Sequence, residues 1–250
     1  MRNKLIELIN FHEKKNTFFL TADMGFSVLE KTQRIFKDFF LNVGIAENNM
    51  LLIATGLEQS LKKRIYCYSI STFITLRTLE VIRNYVSNEK RNIRIIGIGP
   101  GVSYAEMGKT HFNLEDINII YSLKNILILN PSNINELNFL YKKFLKYKFP
   151  IYFRITKFDF ENKFKLKRCG NLFVKKGKST NLIVSGGIMD HVLNSLSSRE
   201  ICKLNIISVP ILDHKYNKNL LSLINKDQKT IFMCDSAKTL FFEEIKSTIN

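Results

Sequence analysis

Asn42-Val43-Gly44-Ile45-Ala46-Glu47-Asn48-Asn49-Met50 sets a carboxylate at the start of a helix, directly after the short apolar segment Phe39-Phe40-Leu41. That apolar segment has strand length, while Asn49-Met50-Leu51-Leu52-Ile53-Ala54 continues at helical spacing towards Gly56. Glu47 is therefore expected in or near an interior. A carboxyl group held away from water keeps its proton to higher pH and serves where a proton is shared with a bound heterocycle. Spacing alone leaves a second reading open, in which Glu47 is a first-turn acid complementing the helix dipole.

Outward from this stretch the chain alternates apolar runs with helical periodicity. A helix pattern at Leu5, Ile6, Leu8, Ile9 and Phe11 leads into a strand over Thr17 to Thr21 that stops at Asp23 and Gly25. Further strands are expected at Arg64 to Ser69, Ile93 to Ile98, Ile126 to Leu129 and Ile151 to Ile155. Helices are expected from Glu47 to about Ser60 and over Thr78 to Ser87, Asn113 to Ser122 and Asn133 to Tyr147. Strands that are apolar throughout are covered on both faces, so this order predicts an α/β fold with a mostly parallel sheet flanked by helices. The boundaries read as residues 1–156 for this domain, 157–180 for a charged linker with one or two short strands, and 181–250 for a smaller α/β domain. That last domain opens at Asn181-Leu182-Ile183-Val184-Ser185-Gly186-Gly187, with further strands at Leu204 to Val209 and Thr230 to Cys234.

The 250 residues carry a formal charge of +16. The basic residues are scattered, with short clusters at Lys62-Lys63-Arg64, Lys142-Lys143 and Lys163 to Lys178, and no aromatic-interleaved repeat accompanies them. A solvated basic face is expected rather than a nucleic-acid site. Cys67, Cys169, Cys202 and Cys234 lie far apart without paired spacing, which points to free thiols in a reducing compartment rather than structural zinc. No apolar stretch reaches the ~18 residues that span a bilayer and the start is too charged for a signal peptide, so no membrane partner and a cytoplasmic location are expected.

Three further segments stand in order around the Glu47 motif. They are Leu20-Thr21-Ala22-Asp23-Met24-Gly25, the run Ser71-Thr72-Phe73-Ile74-Thr75-Leu76-Arg77-Thr78-Leu79-Glu80-Val81-Ile82-Arg83-Asn84, and the run from Gly101 to Asp116 that holds Gly108-Lys109-Thr110-His111. Together, over about 100 residues, these resemble the pyrimidine-binding domain of the transketolase family, whose members use thiamine diphosphate. The resemblance implies that Glu47 is the glutamate that hydrogen-bonds a ring nitrogen of the aminopyrimidine, and that Phe73 supplies the aromatic wall. Leu76 and Leu79 stand where other members have aromatic residues, so the wall is expected to be partly aliphatic, with Tyr66, Tyr68 and Ile70 as further candidates to line it. His111 matches the family's active-site histidine, which hydrogen-bonds substrate and moves protons near neutral pH. Met107 replaces an aspartate that reads a sugar hydroxyl in ordinary transketolases.

Arg154 lies where the family places an arginine for substrate phosphate, with an exposed strand-end arginine as the alternative. The Gly97-Ile98-Gly99-Pro100-Gly101 run lacks the family's phosphate-contacting histidine, and its glycines are expected to permit a tight turn. Arg77 and Arg83, with Glu80 between them, are expected to brace a subunit interface, and Glu115 and Asp116 to be first-turn acids. The family's diphosphate-binding domain, with its metal-holding motif, has no counterpart here. The resemblance therefore implies the C-terminal subunit of a split enzyme, with Mg2+ held mainly by a separately encoded diphosphate-binding subunit in an α2β2 assembly. The reaction implied is transfer of a two-carbon ketol unit between sugars, in sugar or polysaccharide biosynthesis. Alternatives are the beta subunit of a 2-oxo acid dehydrogenase, a 1-deoxyxylulose 5-phosphate synthase fragment, and a non-catalytic interaction subunit. The last of these draws on Met107, the pocket leucines and a C-terminal domain that reads as abbreviated.

Overall fold

Alternating side chains along Arg64–Ile70 explain how the main sheet is covered. Ile65 and Cys67 face one helical layer while Tyr66 and Tyr68 face another, because successive residues of a strand point to opposite sides. The computed structural model describes residues 1–13, 17–157 and 166–249. Among these, β1 (Thr17–Thr21), β2 (Phe40–Asn42), β3 (Arg64–Ile70), β4 (Ile93–Ile98), β5 (Leu127–Leu129) and β6 (Ile151–Ile155) form a six-stranded sheet. Its order is β2-β1-β3-β4-β6-β5, and all pairs are parallel. The mostly parallel α/β sheet expected from the sequence is the one observed.

Seven α-helices belong to this layer: α1 (Arg2–His12), α2 (Glu30–Phe36), α3 (Glu47–Leu61), α4 (Ser71–Leu76), α5 (Leu79–Val81), α6 (Asp116–Ser122) and α7 (Ile134–Phe144). Residues of α1 and α7 pack with Phe19, Tyr66, Tyr68, Ile96 and Phe153 on one face. On the other, α3, α4 and α6 pack with Leu20, Ile65, Cys67, Ile95 and Tyr152. The helix expected over Thr78 to Ser87 divides into α5 and a π-helical turn, Ile82–Ser87. The helix expected from Asn113 starts later, at Asp116, after a turn in which Asn113 Oδ1 accepts from the backbone N–H groups of Glu115 and Asp116.

A second sheet has the order β11-β9-β10-β8-β7, from β7 (Lys167–Cys169), β8 (Leu172–Lys175), β9 (Thr180–Ser185), β10 (Leu204–Ser208) and β11 (Lys229–Cys234). Here β9 runs parallel to β10 and β11, whereas β8 is antiparallel to both β10 and β7. The short strands expected within the charged linker thus join the second sheet; residues 158–165 of that linker lie outside the described residues. Helices α8 (Ile188–Ser195), α9 (Ser198–Lys203), α10 (Leu220–Leu223) and α11 (Leu240–Ile249) complete this part. It joins the first sheet through a Leu129–Ile211 bridge and through Asn130, whose N–H donates to the Pro210 carbonyl at 2.9 Å.

The chain leaves β1 towards β2 on one side and leaves β3 towards β4 on the other. In parallel sheets the crevice at such a reversal, outside the carboxyl ends of the strands, is where ligands sit. The segments after β2, β3 and β4 converge there.

Candidate cofactor and substrate site

The first wall of the crevice is fixed by a turn network. Asn42, at the end of β2, accepts at Oδ1 from the N–H groups of Asp23 and Gly44, and its Nδ2 donates to Asp23 Oδ1. Gly44 has φ +76°, a left-handed conformation suited to glycine, and it turns the chain into α3. Glu47 is the first residue of that helix and only 3% exposed. Both sequence-based readings of Glu47 therefore meet in one residue, a first-turn acid that is also buried.

Its carboxylate has two partners. Ser69 Oγ, on the face of β3 towards α3, donates to Oε1 at 3.4 Å, and Arg77 Nη1 donates to Oε2 at 3.2 Å. Arg77 follows α4, four residues after Phe73, so helical spacing brings both side chains to the same side. The Arg77 guanidinium lies 4.0 Å from the Phe73 ring centroid. A flat cation bearing N–H groups thus stacks on Phe73 and donates to Glu47. The arrangement suits a flat group that bears an N–H, and an aminopyrimidine is planar and able to offer an N–H to a carboxylate.

His111 arrives from the long segment after β4. Its ring meets Phe73 edge-on, with centroids 5.1 Å apart. Two anchors hold that segment: Thr72 Oγ1 donates to the His111 carbonyl at 2.9 Å, and Gly101 and Asn113 exchange backbone hydrogen bonds of 3.0 and 2.9 Å. Asn113, fully buried, donates through Nδ2 to Ser71 Oγ and Thr75 Oγ1, fastening the segment to α4. Thr110 Oγ1 lies 2.9 Å from His111 Nδ1, leaving Nε2 as the other ring nitrogen. Glu47, Phe73 and His111, widely separated in sequence, are brought together.

Other expected residues are placed differently. Tyr68 is buried on the opposite face of β3, its ring 6.1 Å from Phe19, because it neighbours Ser69 in the strand and so points the other way. Tyr66 shares that face, where burial and then the nearby Glu13 carboxylate push its hydroxyl up to about 12. Neither tyrosine lines the Glu47 side. Leu76 is exposed at the rim and Leu79 half-buried. Arg83 donates to neighbouring Asn84 and is exposed, and Arg77 pairs with Glu47 rather than with Glu80.

Arg154 departs most from expectation. It is neither exposed nor open to a phosphate: its side chain is fully buried, with Nε 2.8 Å from Asp116 Oδ2 and Nη1 2.5 Å from Asp235 Oδ1. Nη1 also donates to Asn130 Oδ1 and Nη2 to the Asp235 carbonyl. Burial would lower the guanidinium pKa, but Asp116 and Asp235 outweigh it and hold it well above its usual value. Asp116 is correspondingly more than a first-turn acid, since it is buried and also accepts from the Tyr152 hydroxyl at 2.7 Å. The tight turn of the glycine run shows in φ values of +64° at Gly99 and +62° at Gly101, and Gly101 packs so closely on Asp235 that an added Cβ would lie 2.5 Å from its carboxylate oxygen.

Among the described residues no cluster of three His, Cys, Asp or Glu side chains is placed to hold a metal ion, and no helix is long and apolar enough to cross a membrane. A cleft of about 380 Å³ opens between α1 and α2, but it is lined by none of the site residues.

Residues 9–161 match the family described as transketolase, pyrimidine binding domain. A putative transketolase C-terminal section of Methanocaldococcus jannaschii is 31% identical over 218 residues, or 84% of this chain and 66% of that protein. One of the subunits of the apulose-4-phosphate transketolase of Actinobacillus succinogenes is 31% identical over 120 residues, 48% of this chain and 38% of that protein. This chain thus spans less than two thirds of each relative. A solved split-gene transketolase, described as an inactive beta4 tetramer, aligns over 92% of this chain and 78% of its own, with a TM-score of 0.74 and 21% identity. The transketolase of Campylobacter jejuni aligns over 99% of this chain and 44% of its own, with a TM-score of 0.75 and 16% identity. At such identities the structural likeness speaks for the fold alone. The family match spans more than half of the chain, and the chain belongs to the transketolase pyrimidine-binding-domain family.

Proposed function

We propose that this chain is the pyrimidine-binding subunit of a split transketolase-like enzyme, which transfers a two-carbon ketol unit between sugars with thiamine diphosphate. The observation that carries this reading is the buried Glu47 carboxylate, directed at the place beside Phe73 where a flat N–H donor already stacks. When bound, thiamine diphosphate supplies a ring carbon that becomes a carbanion and attacks ketones. Glu47 holds the proton shared with the pyrimidine ring nitrogen, Ser69 orients the carboxylate, and Phe73 fixes the plane of the ring. His111, positioned through its own carbonyl by Thr72, offers an imidazole to hold or move a proton at a substrate oxygen.

A separately encoded subunit would close the site and hold Mg2+ and the diphosphate. Exposed apolar side chains flanking the site residues in sequence, Ile45, Leu76, Val102 and Met107, support a covering partner. The relatives from Methanocaldococcus jannaschii and Actinobacillus succinogenes, a C-terminal section and one subunit of a transketolase, support the same division. The inactive beta4 form of one solved relative supports dependence on a partner for activity. For the two subunits we propose an α2β2 assembly. With Arg154 enclosed by carboxylates, recognition of a substrate phosphate, where the sugar has one, falls to other groups.

The test is Glu47→Gln in the chain assembled with its diphosphate-binding subunit. Glutamine keeps the shape but cannot hold the shared proton, so ketol transfer is expected to fall by about 10²- to 10⁴-fold, the span typical of positioned acid–base groups. Calorimetry should show the cofactor still bound. Unchanged turnover in this variant would sink the assignment.

A further inference from the structure

We infer that Arg77 is a built-in place-holder for the pyrimidine ring. In the free chain its guanidinium occupies the ring's position between Phe73 and Glu47, and it must swing out when the cofactor is seated. The inference rests on the proposed cofactor role and adds a regulation of that same site.

Three observations support it. First, Arg77 makes both contacts that the site offers a ring, stacking at 4.0 Å from the Phe73 centroid and donating to Glu47 Oε2 at 3.2 Å. A ring cannot make the same two contacts while the guanidinium remains. Second, the burial is one-sided: Glu47 is 3% exposed while the Arg77 side chain is 51% exposed. The arginine can leave for water without crossing protein, whereas the carboxylate cannot follow and would be left unpaired until a ligand N–H replaces the guanidinium. Third, the carboxylate's remaining partner is the long Ser69 contact of 3.4 Å, too weak to satisfy it alone. Arg77 therefore stabilises the empty site and competes with the cofactor for it. The apparent dissociation constant is the intrinsic one divided by the fraction of molecules with Arg77 swung out. A tenfold preference for the closed position weakens binding about tenfold, equivalent to about 1.4 kcal/mol.

The test compares wild type with Arg77→Ala and Arg77→Gln in the chain assembled with its diphosphate-binding subunit, titrated calorimetrically with thiamine diphosphate and Mg2+. Alanine removes the competitor and is expected to tighten binding about tenfold, with glutamine giving a smaller gain in the same direction and guarding against misfolding of the alanine variant. In parallel, side-chain NMR of Arg77 in the free chain should show a Phe73 ring-current shift that Phe73→Leu abolishes. That shift should move to the value of a solvated arginine when the complex is saturated. Unchanged or weaker binding in both variants, or an Arg77 signal still shifted by Phe73 at saturation, overturns the place-holder. Absence of binding in wild type and both variants overturns the cofactor reading with it, so the two failures are distinguishable.

Discussion

A carboxylate buried without a partner burdens a fold, and Glu47 and Asp190 meet that burden differently. Glu47 is paired with Arg77 and Ser69. Asp190, on α8, is 3% exposed and its Oδ2 has no hydrogen-bond partner among the described residues. Burial pushes the Asp190 carboxyl up from 3.8 to about 6. A carboxyl raised in the folded state binds its proton more tightly there than in the unfolded chain. Its contribution to stability is thus fully present below about pH 4 and is lost as the pH rises to about 6. Asp190→Asn, neutral throughout, is expected to narrow the difference in melting temperature between pH 5 and pH 7.5 by a few degrees. Thermal melts at both pH values check this, and an unchanged difference would assign the pH dependence to other groups.

Among elements, the segment between β4 and α6 matters most, because it carries His111 and contains little regular structure of its own. It is held by the Gly101–Asn113 bridge and by Asn113, whose amide oxygen accepts from the N–H of Asp116 at the start of α6 while its Nδ2 reaches Ser71 and Thr75 on α4. Asn113→Ala leaves the Glu115 and Asp116 N–H groups without their acceptor and two buried hydroxyls short of a donor, with an expected loss of about 2–3 kcal/mol. Asn113→Asp restores the acceptor but not the donors and should recover only part of it, as urea unfolding would show. Much of this layer is legible in the sequence. Continuous apolar runs announce β1, β4 and β6 to the residue, and the family resemblance of the motifs that hold Glu47, Phe73 and His111 anticipates a shared site. What is not legible depends on facing and on distance. Tyr68 goes to the core because a strand alternates, so its neighbour Ser69 takes the inward position. Nothing local reveals that Glu47, 30 residues before Arg77, lies within its reach.

At the scale of the molecule the two sheets are joined by a charge cluster that local sequence cannot reveal. Arg154 finds Asp116 and Asp235, 38 and 81 residues away, and only the assembled fold brings them together. The same junction reaches the candidate site. Just past Asp235, Ser236 Oγ and the Ala237 N–H both donate to the Leu114 carbonyl at 2.7 Å, and Leu114 lies three residues beyond His111. The second sheet thereby braces the His111 segment. Arg154→Met removes the cation and strands two carboxylates, with an expected loss of about 3–5 kcal/mol in urea unfolding. Adding Asp116→Asn and Asp235→Asn to that variant should recover part of the loss, since the uncompensated charge goes with them. Hydrogen exchange separates a local brace from a general weakening. If the junction supports the His111 segment, Arg154→Met accelerates exchange between His111 and Leu114 well before it affects the α3 amides that follow Glu47. Equal acceleration in both places would mean that the cluster holds the fold together as a whole and has no particular hold on the histidine.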